Sequence, residues 1–147
     1  DLVRSRGLGD VYKRQGSTVP MQLCSIAFTT DKFPPILPEP CQVNADLYGF
    51  ELAAWLAKTL AEQGVVTSYP GPDEWGWFLE YFTEHEQELM IGCASVGATH
   101  GYPTDWVVFV RQRRKAKKGG EDMGPVLIEA ILSVLAAEGI EAQRQPA

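Results

Sequence analysis

The segment WGWFLEYFTEHEQELMIGCASV, residues 75–96, decides the fold because it holds two strand-like runs joined by a charged link. In the first run, Trp75, Trp77, Leu79 and Tyr81 alternate with Gly76, Phe78, Glu80 and Phe82. A period of two is typical of a β-strand, whose successive side chains point to opposite faces. The link TEHEQE, residues 83–88, therefore predicts a hairpin that closes onto a second strand at residues 89–95.

The flanking sequence extends this hairpin into a larger sheet. Residues 106–111 alternate again, which predicts a third antiparallel strand and hence a β-meander. Further strands are expected at residues 21–30 and 65–69, the second one just before the turn-rich YPGPDE. Residues 140–144 are compatible with one more strand at an edge of the sheet.

Two helices are expected on the same chain. Apolar residues at helical spacing predict one helix from an N-cap at Asn44 to about Gln63, with Gly64 as its C′ residue. A second apolar stripe predicts a helix over residues 123–138. We therefore expect a two-layer α+β fold, in which two helices pack on one face of an antiparallel β-meander sheet of about four to five strands.

The first residues are set apart from this fold. Residues 5–15, SRGLGDVYKRQ, are the translation of DNA that looks like a transposon adapter used to prepare sequencing libraries. We expect residues 1–20 to be an artefactual, disordered segment and exclude them, as one would an expression scar. Residues 21–147 are then a single α+β domain, with Met21 as a natural start.

The charge balance is acidic, which disfavours a nucleic acid as the partner. The 147 residues include 13 Lys and Arg and 19 Asp and Glu, for a net charge of −6. Without residues 1–20, which hold four basic and two acidic residues, the charge becomes −8. Six of the remaining basic residues lie in one run, residues 111–118. An acidic body outside one basic run is compatible with a protein partner and disfavours a polyanion.

Localisation and cofactors are predicted from what the sequence contains. No apolar run approaches the roughly 18 to 20 residues that span a bilayer, and nothing after Met21 resembles a signal peptide. Cys24, Cys41 and Cys93 form no close pair, which favours reduced thiols in a cytoplasmic protein. The sequence has no phosphate-binding glycine loop, CxxC or HExxH motif, so we predict neither a cofactor nor a metal.

The tryptophans and the adjacent turn are the main candidates for a partner-binding surface. Alternation predicts that Trp75 and Trp77 share a strand face, with Trp106 across the sheet. Trp is enriched at interface hot spots, and acidic loop residues can steer a partner. The alternative is an aromatic face that the two helices cover. The predicted surface consists of Asp73, Glu74, Trp75, Trp77, Tyr102 and Trp106.

Two other functions stay open at this stage. A small enzyme or ligand-binding domain would use a pocket between sheet and helices, with Cys93, His100 and Asp105 as its candidate residues. The run at residues 111–118 could instead contact phosphates, chiefly through Lys115, Lys117 and Lys118. Because it lacks interleaved aromatic residues, a solvated connector is the preferred interpretation of that run.

Three stretches carry a resemblance to other proteins. They are LPEPCQVNADLYGFELAAWLAKTL at residues 37–60, PGPDEWGWFLEY at residues 70–81 and DWVVFV at residues 105–110. Over residues 21–113 the chain resembles small bacterial proteins known mainly as open reading frames of unknown function. The predicted element order also resembles the two-layer folds of secretion-chaperone-like and immunity-like proteins. That likeness implies a non-enzymatic protein-interaction module, although fold alone does not fix function.

Overall fold

The computed structural model describes residues 21–36, 48–96 and 103–146, which form one antiparallel sheet and two helices. The strand order in the sheet is β2-β3-β4-β5-β1-β6. The expected α+β class is confirmed, with six strands in the described residues rather than four to five. The elements are β1 (Met21–Thr29), α1 (Phe50–Glu62), β2 (Gly71–Asp73), β3 (Gly76–Phe82), β4 (Glu88–Ser95), β5 (Asp105–Arg114), α2 (Gly124–Ala137) and β6 (Ala142–Pro146).

The predicted meander forms the centre of the sheet. The register pairs Leu79 with Ile91, Ile91 with Val110, and Val110 with Cys24. All four side chains are fully buried, so a continuous apolar row crosses four strands on one face. The C-terminal segment pairs with β1 as β6, which confirms the edge strand expected there.

Both helices pack on this apolar face of the sheet. Their buried side chains recur at intervals of three or four residues, the spacing that keeps them on one side of a helix. Burying each such side chain contributes about 1.5–3 kcal/mol. The fully buried ones are Leu52, Leu56 and Leu60 of α1 and Leu127, Ile131 and Leu135 of α2.

The predicted start of the first helix is wrong. Asn44 lies outside the described residues, and α1 begins only at Phe50. Before it, Tyr48 is bonded to the end of β4: its carbonyl accepts from the Ser95 N–H and its own N–H donates to Ser95 Oγ, each at 3.0 Å. Gly49 then passes so close to the Cys93 carbonyl oxygen that a Cβ would collide with it. Tertiary pairing with β4 therefore delays the helix.

The strand predicted at residues 65–69 is also wrong. The Val65 N–H donates to the Leu60 carbonyl at 2.8 Å and so completes the end of α1. The Ser68 N–H donates to the Glu80 carbonyl at 2.9 Å. The Glu80 N–H, however, donates to the Ser68 hydroxyl at 2.9 Å and not to the Ser68 carbonyl. A regular ladder to β3 begins only at Gly71, within the predicted turn.

A buried glutamine joins the hairpin to the rest of the fold. Gln87 is fully buried, and its Nε2 donates to Gln112 Oε1 and to Asp122 Oδ1, both at 2.8 Å. Its Oε1 accepts from the Met123 N–H at 2.8 Å. One side chain therefore ties the β3–β4 link to β5 and to the start of α2.

Replacing Gln87 with Ala is expected to lower the free energy of unfolding by on the order of 2 kcal/mol or more, because its buried partners lose their hydrogen bonds. Denaturant unfolding measures this loss. Gln143, exposed on β6, is the matched control, and its replacement with Ala should change stability by less than about 0.5 kcal/mol. Equal stability of the two variants would contradict the structural role of Gln87.

Asp122 should make stability depend on acid pH. Hydrogen bonds from Gln87 and from the Gly124 N–H lower the pKa of Asp122 below its ordinary value. A carboxyl whose pKa is lower in the folded state stabilises the fold at neutral pH, and this contribution is lost as the pH falls below about 4. Replacing Asp122 with Asn should therefore flatten the decline of unfolding free energy between pH 6 and pH 3. An unchanged slope in that variant would contradict the prediction.

Candidate functional site

The sheet has a second face that points away from both helices in the described structure. We call it the open face. Phe78, Gly92 and Phe109 pair across β3, β4 and β5 there, and they alternate with the buried row that faces the helices. The other open-face side chains of these three strands that matter below are Glu80, Met90, Arg111 and Arg113.

An aromatic stack sits at the centre of this face. Gly92 has no side chain, and the Phe109 ring fills the space, since a Cβ on Gly92 would collide with that ring. The Trp75 ring packs on Phe109 with centroids 4.9 Å apart and planes inclined by 58°. Phe109 is therefore only 9% exposed although no described helix covers it. Trp75 remains half-buried at the surface.

Trp75 and Trp77 do not share a face, contrary to the prediction. Trp75 lies in the two-residue link that the Asp73–Gly76 pair closes, so strand alternation does not extend to it. Trp77 is inside β3, points to the helices and packs on Phe50 with ring centroids 5.1 Å apart. The two indoles thus occupy opposite sides of the sheet.

Trp106 belongs to the core together with Trp77. It is 1% exposed and packs edge-on against Phe33, with ring centroids 5.9 Å apart. The indole Nε1 of each of these tryptophans is buried without a hydrogen-bond partner in the described part of the chain. The alternative of a helix-covered aromatic face therefore holds for both, and neither offers the exposed area that a partner contact needs. Tyr102 lies outside the described residues.

Two arginines of β5 lie over open-face rings. The guanidinium carbon of Arg113 is 5.8 Å from the centroid of Phe78, and its Nη1 is 2.9 Å from Glu80 Oε2. Its Nη2 also lies 3.4 Å from the Met90 sulfur. Arg113 occupies a β-bulge, because Arg114 pairs with Glu88 while Gln112 pairs with the next residue of β4. Bulges commonly re-aim a side chain in this way.

Arg111 has different surroundings from Arg113. Its guanidinium carbon lies 4.5 Å from the Phe109 centroid, a distance at which cation–π attraction is effective. Burial lowers the pKa of Arg111, the nearby Asp73 carboxylate raises it, and Arg113 lowers it. Asp73 influences Arg111 without forming an ion pair with it. In the described residues, no carboxylate or other acceptor bonds the Arg111 guanidinium.

The predicted acidic turn flanks this site. Asp73 ends β2 at the sheet edge, and its Oδ1 accepts from the Glu74 N–H at 2.7 Å. Asp73 is half-buried and Glu74 is exposed. The structure therefore places Asp73, Glu74 and Trp75 on the open-face side of the sheet. Trp77 and Trp106 lie on the side that faces the helices.

Two cations of the basic run, at and beyond the end of β5, pair with carboxylates of the β3–β4 hairpin. Arg114 Nη1 lies 3.2 Å from Glu88 Oε2, and Lys117 Nζ lies 2.8 Å from Glu86 Oε2. The bond and charge of Lys117 lower the pKa of Glu86. These pairs fit a connector that balances acidic residues. The strand predicted over residues 106–111 ended at Arg111, whereas β5 continues to Arg114 and carries Arg113 onto the open face.

The two described residues of the alternative pocket, Cys93 and Asp105, lie apart. Cys93 is fully buried on the helix face, and burial raises the pKa of its thiol. Asp105 is exposed and accepts from the Thr29 hydroxyl at 2.8 Å. The register places Cys93 opposite Val108, three residues along β5 from Asp105. His100 lies outside the described residues.

The described residues supply little else for a catalytic or metal site. A shallow cavity of about 470 Å³ lies at the end of β1 and β5, where Asp105 and Trp106 line it, but Cys93 does not. Across residues 21–36, 48–96 and 103–146, no three His, Cys, Asp or Glu side chains could hold a metal ion together. Neither described helix is both long and apolar enough to cross a membrane.

Comparisons with known proteins assign no function to this geometry. No protein-family model, curated protein or solved structure matches the chain. Function must then be argued from the residues of the site.

The burial of the thiols gives a direct test of the pocket. In a Cys41→Ser background, Cys24 and Cys93 should be unreactive to an aromatic disulfide reagent, because both are buried and burial raises the pKa of each. Absorbance should show about two reactive thiols only after denaturation. Rapid native reaction at Cys93, located by mass spectrometry, would instead favour a nucleophile in an accessible pocket.

Proposed function

We propose that this chain is a non-enzymatic protein-interaction module that binds its partner on the open face of the sheet. The supporting observation is the stack of Trp75 and Arg111 on Phe109, on the side of the sheet opposite the helices. Side chains of these types normally cover a buried core or meet a partner. Here they form a surface cluster.

The chemistry of the cluster suits a binding hot spot. Trp and Arg are the residue types most enriched at such positions, since both bring large contact areas and directed hydrogen bonds. Arg111 lies in β5, and Trp75 lies in a two-residue link closed by the Asp73–Gly76 pair, so both are held in place before binding, which lowers the entropy lost on binding. Phe82, 57% exposed at the end of β3, adds apolar area beside the cluster.

The acidic rim would steer an approaching partner protein toward the open face. Asp73 and Glu74 border the face, and the whole chain carries a net charge of −6. Charges at a rim mainly change the rate of encounter, whereas the central aromatic residues supply the affinity. An immunity-like or chaperone-like protein would need both properties. We place the module in the cytoplasm, where its free Cys24 and Cys93 would stay reduced.

Two tryptophan variants should separate binding from folding. Trp75→Ala should remove partner binding while lowering the free energy of unfolding by only about 0.5–1.5 kcal/mol, the usual worth of one aromatic pair. Trp77→Ala should cost about 3–5 kcal/mol, because it empties a core position. Chemical denaturation measures both losses, and Lys58→Ala on the exposed side of α1 serves as the control for binding.

Binding is measured by quantitative capture on the immobilised wild-type protein and its variants. The product of a neighbouring gene at the intact genomic locus is the first candidate to purify and titrate. The expected partner binds the wild type and Lys58→Ala equally and Trp75→Ala at least about tenfold more weakly. Partner binding that survives Trp75→Ala unchanged would rule out the open face as the interface.

A further inference from the structure

We infer that Arg111 is the anion-recognition point of the open face, and that it binds a carboxylate in an otherwise apolar segment of the partner protein. This inference rests on the proposed function and specifies the chemistry of the partner. It is carried by the hydrogen-bonding state of Arg111, by the charges around it and by the packing of the rings beneath it.

The hydrogen-bonding state sets Arg111 apart from the next arginine on its face. A guanidinium has five N–H donors in a rigid plane, which match the two oxygens of one carboxylate. Arg113 already donates hydrogen bonds to the Glu80 carboxylate and to the Met90 sulfur. Arg111 lies over Phe109, and its donors meet no acceptor in the described part of the chain. It is therefore available to an external oxygen anion.

The surroundings of Arg111 make such an anion favourable. Its side chain is half-buried, so it has lost part of its hydration without gaining a bonded counter-charge. The Asp73 carboxylate influences Arg111 more than Arg113 does, but it forms no ion pair with Arg111 and so leaves the guanidinium donors without a bonded oxygen in the described residues. A carboxylate placed on Arg111 would form a charge-assisted, bidentate pair.

The rings beneath argue for a protein carboxylate and against a nucleic acid. A nucleic acid needs flat, accessible rings on which bases can stack. Phe109 lies against Gly92 and is covered by Trp75 and Arg111, so its faces are already occupied. Phosphate chains also need several cations. The neighbouring Arg113, Arg114 and Lys117 are each paired with a carboxylate of the chain.

The remaining open-face surface defines the rest of the ligand. Trp75 and Phe78 are half-buried, and Phe82 is exposed. Trp75 and Phe78 supply apolar surface at the start of β3 and Phe82 supplies more at its end, with the Glu80–Arg113 ion pair between these two parts of the open face. A partner segment that contacts it should therefore carry apolar or aromatic side chains next to its acidic residue.

Selection from a display library of short random peptides tests this chemistry before the partner protein is identified. Peptides selected on the wild type should be enriched in Asp or Glu beside aromatic or aliphatic residues. Selection on Arg111→Gln should lose the acidic enrichment and keep the apolar one, because Gln removes the charge and the guanidinium fork but stays polar. Lys58→Gln, exposed on α1, is the matched charge control and should select as the wild type does.

One selected acidic peptide is then titrated by fluorescence anisotropy. Its Kd should rise at least about tenfold with Arg111→Gln and by a smaller factor with Arg111→Lys, which keeps the charge but loses the planar fork. Thermal unfolding checks that each variant is folded. Replacing the acidic residue of the peptide with its amide should raise the Kd for the wild type by the same factor as Arg111→Gln does. The same replacement should leave the Kd for the Arg111→Gln variant unchanged.

The outcomes distinguish this inference from the proposed function. Peptides that lose affinity with Trp75→Ala but show no acidic preference would overturn the role of Arg111 and leave the open face as an interface. Peptides whose affinity is unchanged by both Trp75→Ala and Arg111→Gln would overturn the proposed function itself. Binding of a single-stranded oligonucleotide that depends on Arg111 would overturn the assignment of a protein carboxylate.

Discussion

The pairing of β4 with β5 is the constraint on which the remaining structure depends. Both strands lie inside the sheet, with β3 beyond one and β1 beyond the other. The register that places Ile91 opposite Val110 also places Gly92 opposite Phe109. A slip of β5 by one residue would turn Phe109 toward the helices and bring Val110 to the open face. One register therefore sets both the core and the candidate binding surface.

Gly92 extends this constraint to the orientation of the open-face side chains. A larger residue there would lift the Phe109 ring away from the sheet, since a Cβ already collides with it. That ring supports both the Trp75 indole and the Arg111 guanidinium. A glycine that weakens a strand in isolation thus allows the close packing that holds two surface residues in place.

The parts of the fold that local patterns determine could be predicted from the sequence, and the parts that depend on distant contacts could not. Alternation predicted the hairpin of β3 and β4, and the apolar stripe predicted α2. The start of α1 depends instead on hydrogen bonds between Tyr48 and Ser95, 47 residues apart. In the candidate site, the position of Trp75 escaped prediction because it lies in a turn. Arg111 was predicted at the end of a strand, but its place in the candidate site was missed, because the basic run that it begins resembles a solvated connector.

Under the proposed function, the distribution of charge would let the open face discriminate between partners. Glu80, Glu88 and Glu86 pair with Arg113, Arg114 and Lys117, whereas Arg111 keeps unused donors on the open face of the described structure. Asp73 and Glu74 at the rim would repel a highly acidic chain, and the apolar surface of Trp75 would disfavour a uniformly polar one. Rejection of wrong partners by unfavourable contacts is as much a part of specificity as attraction of the right one. The same carboxylates that lower the net charge of the protein would thus favour a single, isolated acidic group on the proposed interface over a run of acidic residues.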